Sequence, residues 1–235
     1  MEIIVDLFNQ HSGDIDELKR MALESHLAGA DWVKLQLFNS KVVWGDDSRK
    51  TLELNYKQTE EIFNYCRSMG IKIFATPFDE ERLEWLTDLG VERYKIASRT
   101  VRDDTNLCDK ILGRNKLTLV STGLNNVNDF IFGHDPNIKY LFCVAEYPTF
   151  LFNKKLKDMP RVFSCGGYEG FSDHVIGFAA SLKAYFNGAT IIEKHFTNNL
   201  NAQNEIEKAH LCSFTPETLR QFKNIIRELE IINHE

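Results

Sequence analysis

Short apolar runs alternate along the chain with longer segments of helical periodicity. Residues 167–196, GYEGFSDHVIGFAASLKAYFNGATIIEKHF, show this most clearly: two apolar runs end in His174 and His195 and flank one amphipathic segment. Apolar positions three and four residues apart, starting at Val175, predict a helix that stops at Asn187-Gly188. The stretch therefore predicts strand, helix and strand, with an imidazole at the carboxyl end of each strand.

The same alternation extends over the rest of the chain. Further strands are predicted at residues 2–7, 31–38, 71–75, 93–97, 116–121 and 138–144, and helices at 15–28, 57–68, 80–89, 103–112 and 216–232. Residues 39–55 and 153–163 lack periodicity, and 128–132 form at most a short helix. Strands that alternate with helices form parallel sheets, and eight of them in 235 residues predict an α/β (β/α)8 TIM barrel, one compact domain over residues 1–235.

An open doubly wound sheet is the alternative fold. Lys34, Gln36 and Lys95 lie inside predicted strands. Polar residues at such positions favour the barrel, because they would line its interior near the carboxyl ends of the strands.

Composition restricts the partners. The formal net charge is -6 and no basic tract offsets it, so neither nucleic acid nor an anionic membrane is an expected partner. The five cysteines have no C-x-x-C spacing, and the sequence contains no signal-type segment and no apolar run long enough to span a membrane. These features predict a soluble, cytoplasmic protein.

Cationic and hydroxyl side chains collect at the predicted carboxyl ends of the strands, where barrel enzymes place their active sites. Two lysines, three serines and a threonine are expected to converge there without matching carboxylates, which describes a pocket for a phosphate or a phosphate plus a carboxylate. The residues are Lys34, Thr76, Lys95, Ser98, Ser121 and Ser172. The absence of G-x-G-x-x-G and G-K-[ST] disfavours a nucleotide cofactor.

His174 and His195 have two interpretations. A histidine at a strand end is often a hydrogen-bonded polar residue with no further role. Two histidines at matched positions of neighbouring parallel strands would face one crevice and form a natural site for a divalent metal. The spacing leaves both interpretations open.

Seven segments resemble the barrel domain of the sialic acid (N-acetylneuraminate) synthase family. They are, in order, AGADWVKLQLF, GIKIFATPFD, LGVERYKIAS, LVSTG, FCVAEYPT, GFSDH and GATIIEKHF. The resemblance implies a TIM barrel and a transferase that condenses phosphoenolpyruvate with an aldose, such as an N-acyl-mannosamine, in a metal-dependent reaction. The products would be a nonulosonic or other 3-deoxy-2-keto sugar acid and phosphate. The resemblance covers the barrel alone, without the C-terminal antifreeze-like domain of many family members, and suggests a homodimer.

The resemblance also implies roles for individual residues. The six donors named above would hold phosphoenolpyruvate, and Gln36 and Tyr147 would face the sugar. His174 and His195 would bind a divalent ion, manganese or else magnesium. The expected catalytic residues are Asp6, Lys95 and Glu193.

Departures from the family pattern concentrate on the sugar side. The start AEIGxNHxG is here VDLFNQHSG, so that Asp6 stands where a Glu is usual. Thr100 replaces another Glu, and Ala209 replaces an Asp that would hold sugar hydroxyls, for which Glu205 or Glu207 could substitute. Either the acceptor differs from N-acetylmannosamine, or the part of the site that binds the sugar has lost its function.

Two other functions follow from these departures and from the anion pocket. Loss of the sugar-binding part would leave a catalytically weak or inactive phosphoenolpyruvate-binding barrel, with a regulatory or accessory role in surface-carbohydrate synthesis. A metal-dependent aldolase that uses pyruvate is the weaker alternative, because pyruvate does not require so many phosphate donors.

Overall fold

Eight parallel strands form a closed barrel in chain order, with the last strand paired to the first. The computed structural model describes residues 1–200 and 208–234. The strands are β1 Glu2–Asp6, β2 Trp32–Leu37, β3 Ile73–Pro77, β4 Arg93–Ile96, β5 Leu117–Ser121, β6 Ile138–Cys143, β7 Tyr168–Asp173 and β8 Ile191–His195. The predicted TIM barrel is confirmed, and closure of the sheet excludes the doubly wound alternative.

Helices surround the barrel on its outer face. They are α1 Ile15–Leu27, α2 Ser40–Trp44, α3 Tyr56–Ser68, α4 Glu80–Asp88, α5 Ser98–Asp103, α6 Thr105–Leu112, α7 Ala179–Phe186 and α8 Pro216–His234. Local capping accounts for several of their starts: the Asp14 side chain accepts hydrogen bonds from the N–H groups of Asp16 and Glu17, and Asn55 and Gln58 form a capping box. None of the helices in the described ranges has the length and apolar character needed to cross a membrane.

Three helical segments differ from the prediction. Helix α7 begins at Ala179 rather than at Val175, because Gly177 has a φ of 76°, in the left-handed region, and Val175 pairs with Thr149 in a parallel bridge. Helices α2 and α5 lie where no helix was predicted, and each is too short to give a periodic pattern. Residues 128–132 form turns without a helix.

An apolar layer fills the lower part of the barrel interior. It consists of Ile4, Trp32, Phe74, Leu119, Leu141 and Ile191. The guanidinium carbon of Arg93 lies 3.8 Å from the centre of the Trp32 ring, and Arg93 Nη1 donates a hydrogen bond of 2.6 Å to Glu2 Oε1. The opposite faces of the strands pack under the helices and form the larger core. Above this layer, the barrel interior toward the carboxyl ends of the strands is free to hold polar groups.

Candidate active site

Polar side chains form a second layer of the barrel interior, between the apolar layer and the carboxyl ends of the strands. Side chains along a strand alternate between its two faces, so the residue two positions further on points into the same interior. Ile4 is followed in this way by Asp6, and Ile191 by Glu193. The layer comprises the buried residues Asp6, Lys34, Thr76, Lys95, Ser121 and Glu193.

A cleft of about 510 Å³ opens above this polar layer. Every side chain singled out from the sequence as catalytic, substrate-binding or metal-binding lines it. These are Asp6, Lys34, Gln36, Thr76, Lys95, Ser98, Ser121, Tyr147, Ser172, His174, Glu193 and His195. The structure brings these side chains together, while their individual roles stay predictions.

The two lysines do have matching carboxylates, and the expectation that they lack them is wrong. Lys34 Nζ lies 2.7 Å from Asp6 Oδ2 and 3.7 Å from Glu193 Oε2. Lys95 Nζ lies 3.8 Å from Glu193 Oε1. The reason is physical: a buried ammonium group needs a compensating charge, and the β1–β2 register places Asp6 directly beside Lys34.

Asp6 and Lys34 form a fully charged pair. Burial alone would raise the pKa of Asp6, but the charges of Lys34 and His195 and a 2.9 Å hydrogen bond from Gln36 lower it to about 2. Burial likewise opposes the charge of Lys34, yet Asp6 and Glu193 hold its pKa above the usual value. Asp6 is therefore ionised at neutral pH and positions both Lys34 and Gln36.

Lys95 has the opposite electrostatic balance. Burial lowers its pKa, and Glu193 opposes this shift only in part. Its ammonium donates to Ser121 Oγ at 2.8 Å and to the Ile96 carbonyl at 3.0 Å. Glu193 Oε1 accepts a 2.9 Å hydrogen bond from Ser172, whereas its Oε2 has no hydrogen-bond partner in the described part of the chain. Lys95 is thus the more acidic of the two ammonium groups.

The two histidines are buried and stack on each other. Their ring centroids are 5.4 Å apart with an interplanar angle of 27°, and Tyr147 packs on His174 at 4.1 Å. Burial lowers the pKa of His174 well below its usual value, and burial also lowers that of His195, although Asp6 opposes the second shift. Both imidazoles are therefore neutral at pH 7, which is the form that binds metal ions.

The hydrogen bonds of the imidazole nitrogens show which lone pairs a metal ion would find. His174 Nδ1 lies 2.9 Å from the carbonyl oxygen of Val144, so this nitrogen carries the proton and Nε2 keeps its lone pair. His195 Nδ1 lies 3.7 Å from Asp6 Oδ2 and makes no hydrogen bond to the described residues. No group of three or more His, Cys, Asp and Glu side chains within residues 1–200 and 208–234 is arranged to hold a metal. Two neutral imidazoles that line one cleft are nevertheless donors of the kind that would hold a divalent ion.

Phe8 is a cleft residue that sequence reasoning did not single out. Its φ of 26° is rare for a residue with a side chain, and its N–H donates a 2.9 Å hydrogen bond to Asp6 Oδ1. Its ring packs edge-on against His195 with centroids 4.7 Å apart and forms an apolar cluster with Ala209 and Cys212. The sequence did contain a signal for this residue: Phe8 ends the segment VDLF, at the position where the family pattern AEIG has a glycine.

Cys143 forms part of the cleft wall. Its Sγ lies 3.7 Å from His174 Nδ1, and burial raises its pKa to about 11, so that it remains a neutral thiol. Trp44, Arg49, Arg99 and Arg102 also line the cleft and were not predicted. Glu205 and Glu207, considered above as substitutes for a lost aspartate, lie outside the described residues.

A (β/α)8 barrel with charged and hydroxyl side chains around a cleft at the carboxyl ends of its strands has the architecture of a barrel enzyme. The sequence model of the NeuB family matches residues 21–235, and the chain belongs to this family.

Named relatives and a solved structure agree with this assignment. The chain is 30% identical to the N,N'-diacetyllegionaminic acid synthase of Campylobacter jejuni, over 97% of this chain and 76% of that protein. It is 31% identical to the pseudaminic acid synthase of the same species, over 89% of this chain and 68% of that protein. The N-acetylneuraminic acid (sialic acid) synthetase structure from Leptospira borgpetersenii is 26% identical, with a TM-score of 0.87 over 99% of this chain and 85% of that one. The predicted family and the predicted enzyme class, a sugar acid synthase, are confirmed.

Proposed function

We propose that this protein condenses phosphoenolpyruvate with an aldose to give a nonulosonic or related 3-deoxy-2-keto sugar acid and phosphate. In this reaction C3 of phosphoenolpyruvate forms a bond to the aldehyde carbon, water adds at C2, and phosphate leaves as the C2–O bond breaks. One observation carries the proposal: Lys34 and Lys95, with hydroxyl groups around them, line the same cleft as two neutral, stacked imidazoles. Membership of a family with named sugar acid synthases supports it.

Lys95 is the group proposed to stabilise the departing phosphate. Its lowered pKa makes the ammonium a stronger proton donor, and its contact with Ser121 places a hydroxyl beside it for a second phosphate oxygen. Thr76 Oγ1, 3.4 Å from Lys34 Nζ, supplies a further donor. Ser98 and Ser172 complete the proposed set.

Asp6 and Glu193 are proposed to have different tasks. A carboxylate with a pKa of about 2 is a weak base, so Asp6 orients Lys34 and Gln36 rather than moving protons. Glu193 has one oxygen bound to Ser172 and the other without a hydrogen-bond partner in the described ranges. This second oxygen is available to accept the proton of the water that adds at C2.

His174 and His195 are proposed to hold a divalent ion, manganese or else magnesium, and Gln36 and Tyr147 to contact the sugar. When bound, such an ion supplies Lewis-acid polarisation of the aldehyde oxygen. Support comes from the neutral rings and from the Val144 carbonyl that fixes the His174 tautomer. The Asp6 carboxylate adds negative charge 3.7 Å from His195.

A cytoplasmic location and a homodimer are also proposed. Free cysteines, four of them buried, support a reducing compartment. The homodimer rests on the family resemblance alone and is tested by light scattering of the purified protein.

The test of function is release of phosphate from phosphoenolpyruvate in the presence of manganese and a panel of aldoses. We expect release with at least one aldose and its loss in Lys95→Met and His174→Gln. If phosphoenolpyruvate binds tightly but no aldose causes release, the condensation is excluded, and an accessory phosphoenolpyruvate-binding role takes its place.

A further inference from the structure

Two arginines meet at one tryptophan ring at the mouth of the cleft. The guanidinium carbon of Arg49 lies 4.4 Å from the centroid of the Trp44 ring, and that of Arg99 lies 5.1 Å from it. Arg102, one turn beyond Arg99 on α5, lines the same cleft. We call Trp44, Arg49, Arg99 and Arg102 the basic rim. None of them belongs to the polar layer deeper in the barrel.

The basic rim faces the histidines across the barrel. Trp44 and Arg49 follow β2, and Arg99 and Arg102 follow β4, whereas His174 and His195 stand at the ends of β7 and β8. In a closed barrel of eight strands in chain order, these two groups of strands lie on opposite sides of the axis. A substrate held at the imidazoles and long enough to cross the barrel would reach the basic rim with its far end.

The positive charge of the basic rim is not needed to neutralise the carboxylates of the deeper polar layer. Lys34 and Lys95 already have Asp6 and Glu193 beside them. The carboxylate of Asp103 receives two hydrogen bonds from Arg102, at 2.6 and 2.8 Å, and so is engaged by that guanidinium. Arg99 rests on the indole, where stacking holds its planar fork of N–H donors in place.

Positive groups gathered at the mouth of a cleft raise the local concentration of anions, and a guanidinium binds phosphate or carboxylate through paired hydrogen bonds. A guanidinium group that stacking already holds in one orientation loses less conformational entropy when it binds an anion. On a chain with a formal net charge of -6, such a concentration of arginines runs against the overall charge.

We infer that Arg99, oriented by Trp44, binds an anionic group, a phosphate or a carboxylate, on the end of the acceptor aldose remote from its aldehyde. The inference rests on the proposed condensation and narrows its acceptor to anionic aldoses. Arg49, which contacts the same indole, adds positive charge beside this group, whereas the charge of Arg102 is balanced by Asp103.

The experiment compares N-acetylmannosamine with N-acetylmannosamine 6-phosphate as matched acceptors. The wild-type protein is expected to have the higher kcat/KM for the phosphorylated sugar. Arg99→Gln is expected to raise KM for that sugar about 10-fold or more, as for loss of a hydrogen bond to a charged group, with KM for phosphoenolpyruvate unchanged within about twofold. Arg99→Lys keeps the positive charge but not the planar guanidinium. Its KM for the phosphorylated sugar is expected to lie between those of the wild-type protein and Arg99→Gln. Arg227→Gln, on the exposed face of α8, controls for the change in net charge.

The outcomes distinguish a rim that binds the phosphate of the sugar from a rim that binds the phosphate of phosphoenolpyruvate. A rise in KM for phosphoenolpyruvate alone would assign the rim to that substrate and overturn the inference. A wild-type protein that uses the neutral sugar as well as its phosphate, with both equally affected by Arg99→Gln, would also overturn it. Calorimetric titration with N-acetylmannosamine 6-phosphate is independent of turnover: binding that is lost in Arg99→Gln supports the anion site even where no phosphate is released and the condensation itself fails.

Discussion

Lys194 Nζ lies 3.1 Å from Asp173 Oδ2, and both side chains are completely buried. Each of these residues is the chain neighbour of a histidine of the cleft, and the β7–β8 register places the two directly opposite each other. Ser181 donates a 2.5 Å hydrogen bond to the same carboxylate, and Lys194 donates one of 2.6 Å to the Val175 carbonyl. The pair therefore fixes the relative positions of the strands that carry His174 and His195.

Removing one partner of this pair is predicted to destabilise the fold strongly. Asp173→Asn leaves the Lys194 ammonium buried without its counter-charge, which costs about 3–5 kcal/mol of the free energy of unfolding. Denaturant titration measures this change. The double variant Asp173→Asn/Lys194→Met is expected to recover part of the loss, because it removes the uncompensated charge.

The exposed pair of Lys110 and Glu80 provides the matched control. Solvent screens its charges, so Lys110→Met is expected to change the free energy of unfolding little. An equal loss of unfolding free energy in Lys110→Met and Asp173→Asn would show that burial of the ion pair does not determine its contribution to stability.

His11 is predicted to make stability depend on pH between about 6.5 and 4. Burial lowers its pKa to about 4, with Asp14 opposing the shift, and its Nδ1 accepts a 3.0 Å hydrogen bond from the Gly13 N–H. In this window the unfolded chain binds the extra proton, so the folded state loses stability as the pH falls, by roughly 3 kcal/mol in total. Above pH 6.5 the contribution is complete, and below pH 4 it is gone.

The measurement is the free energy of unfolding at pH 7 and at pH 4.5, for the wild-type protein and for His11→Gln, in the presence of a metal chelator. The variant should lose less stability than the wild-type protein between the two pH values. Equal losses would exclude His11 as the source.

The location of the cleft was predictable from the sequence because it depends on local patterns. The alternation of residues along β2 and β4 places Lys34 and Lys95 inside the barrel, and the ends of β7 and β8 place His174 and His195 at its mouth. These positions require only strand assignment and the rule that barrel sites lie at the carboxyl ends of strands.

The pairings inside the cleft were not predictable in the same way. The contact between Asp6 and Lys34 depends on the register of β1 with β2, which joins residues far apart in sequence. Arg99 lies on a helix of six residues, too short to show a periodic pattern, and its neighbour on the rim, Trp44, comes from a segment without periodicity. Non-local geometry decided these features, so composition and spacing carried no signal for them.

Metal removal is predicted to abolish phosphate release by the protein. Treatment with a chelator should lower the rate at least about 100-fold, because the proposed ion would no longer polarise the aldehyde oxygen. Added manganese should restore the rate in the wild-type protein but not in His174→Gln. His134→Gln, an exposed histidine outside the cleft, is the control and should behave as the wild-type protein does. A full rate in the presence of the chelator would contradict the metal role of both cleft histidines.

Phe8 offers a test of backbone strain at the cleft. Its φ of 26° is unfavourable for any residue with a Cβ atom, while glycine adopts it freely. Phe8→Ala and Phe8→Gly both remove the ring that packs on His195, so both lose its buried contacts, at about 3–5 kcal/mol for a core phenylalanine. Only Phe8→Gly also relieves the strain, by about 1–3 kcal/mol.

The two variants therefore differ mainly in the backbone contribution. Phe8→Gly is predicted to be the more stable of the two in denaturant titration, the reverse of the order expected at an ordinary helical position, where glycine is less stable than alanine by about 1 kcal/mol. Both variants also open space beside His195 and Ala209, so the relative kcat/KM for aldoses with larger N-acyl groups should rise in each of them. A less stable Phe8→Gly would mean that residue 8 holds no strain, and an unchanged acceptor preference would place the sugar away from this wall of the cleft.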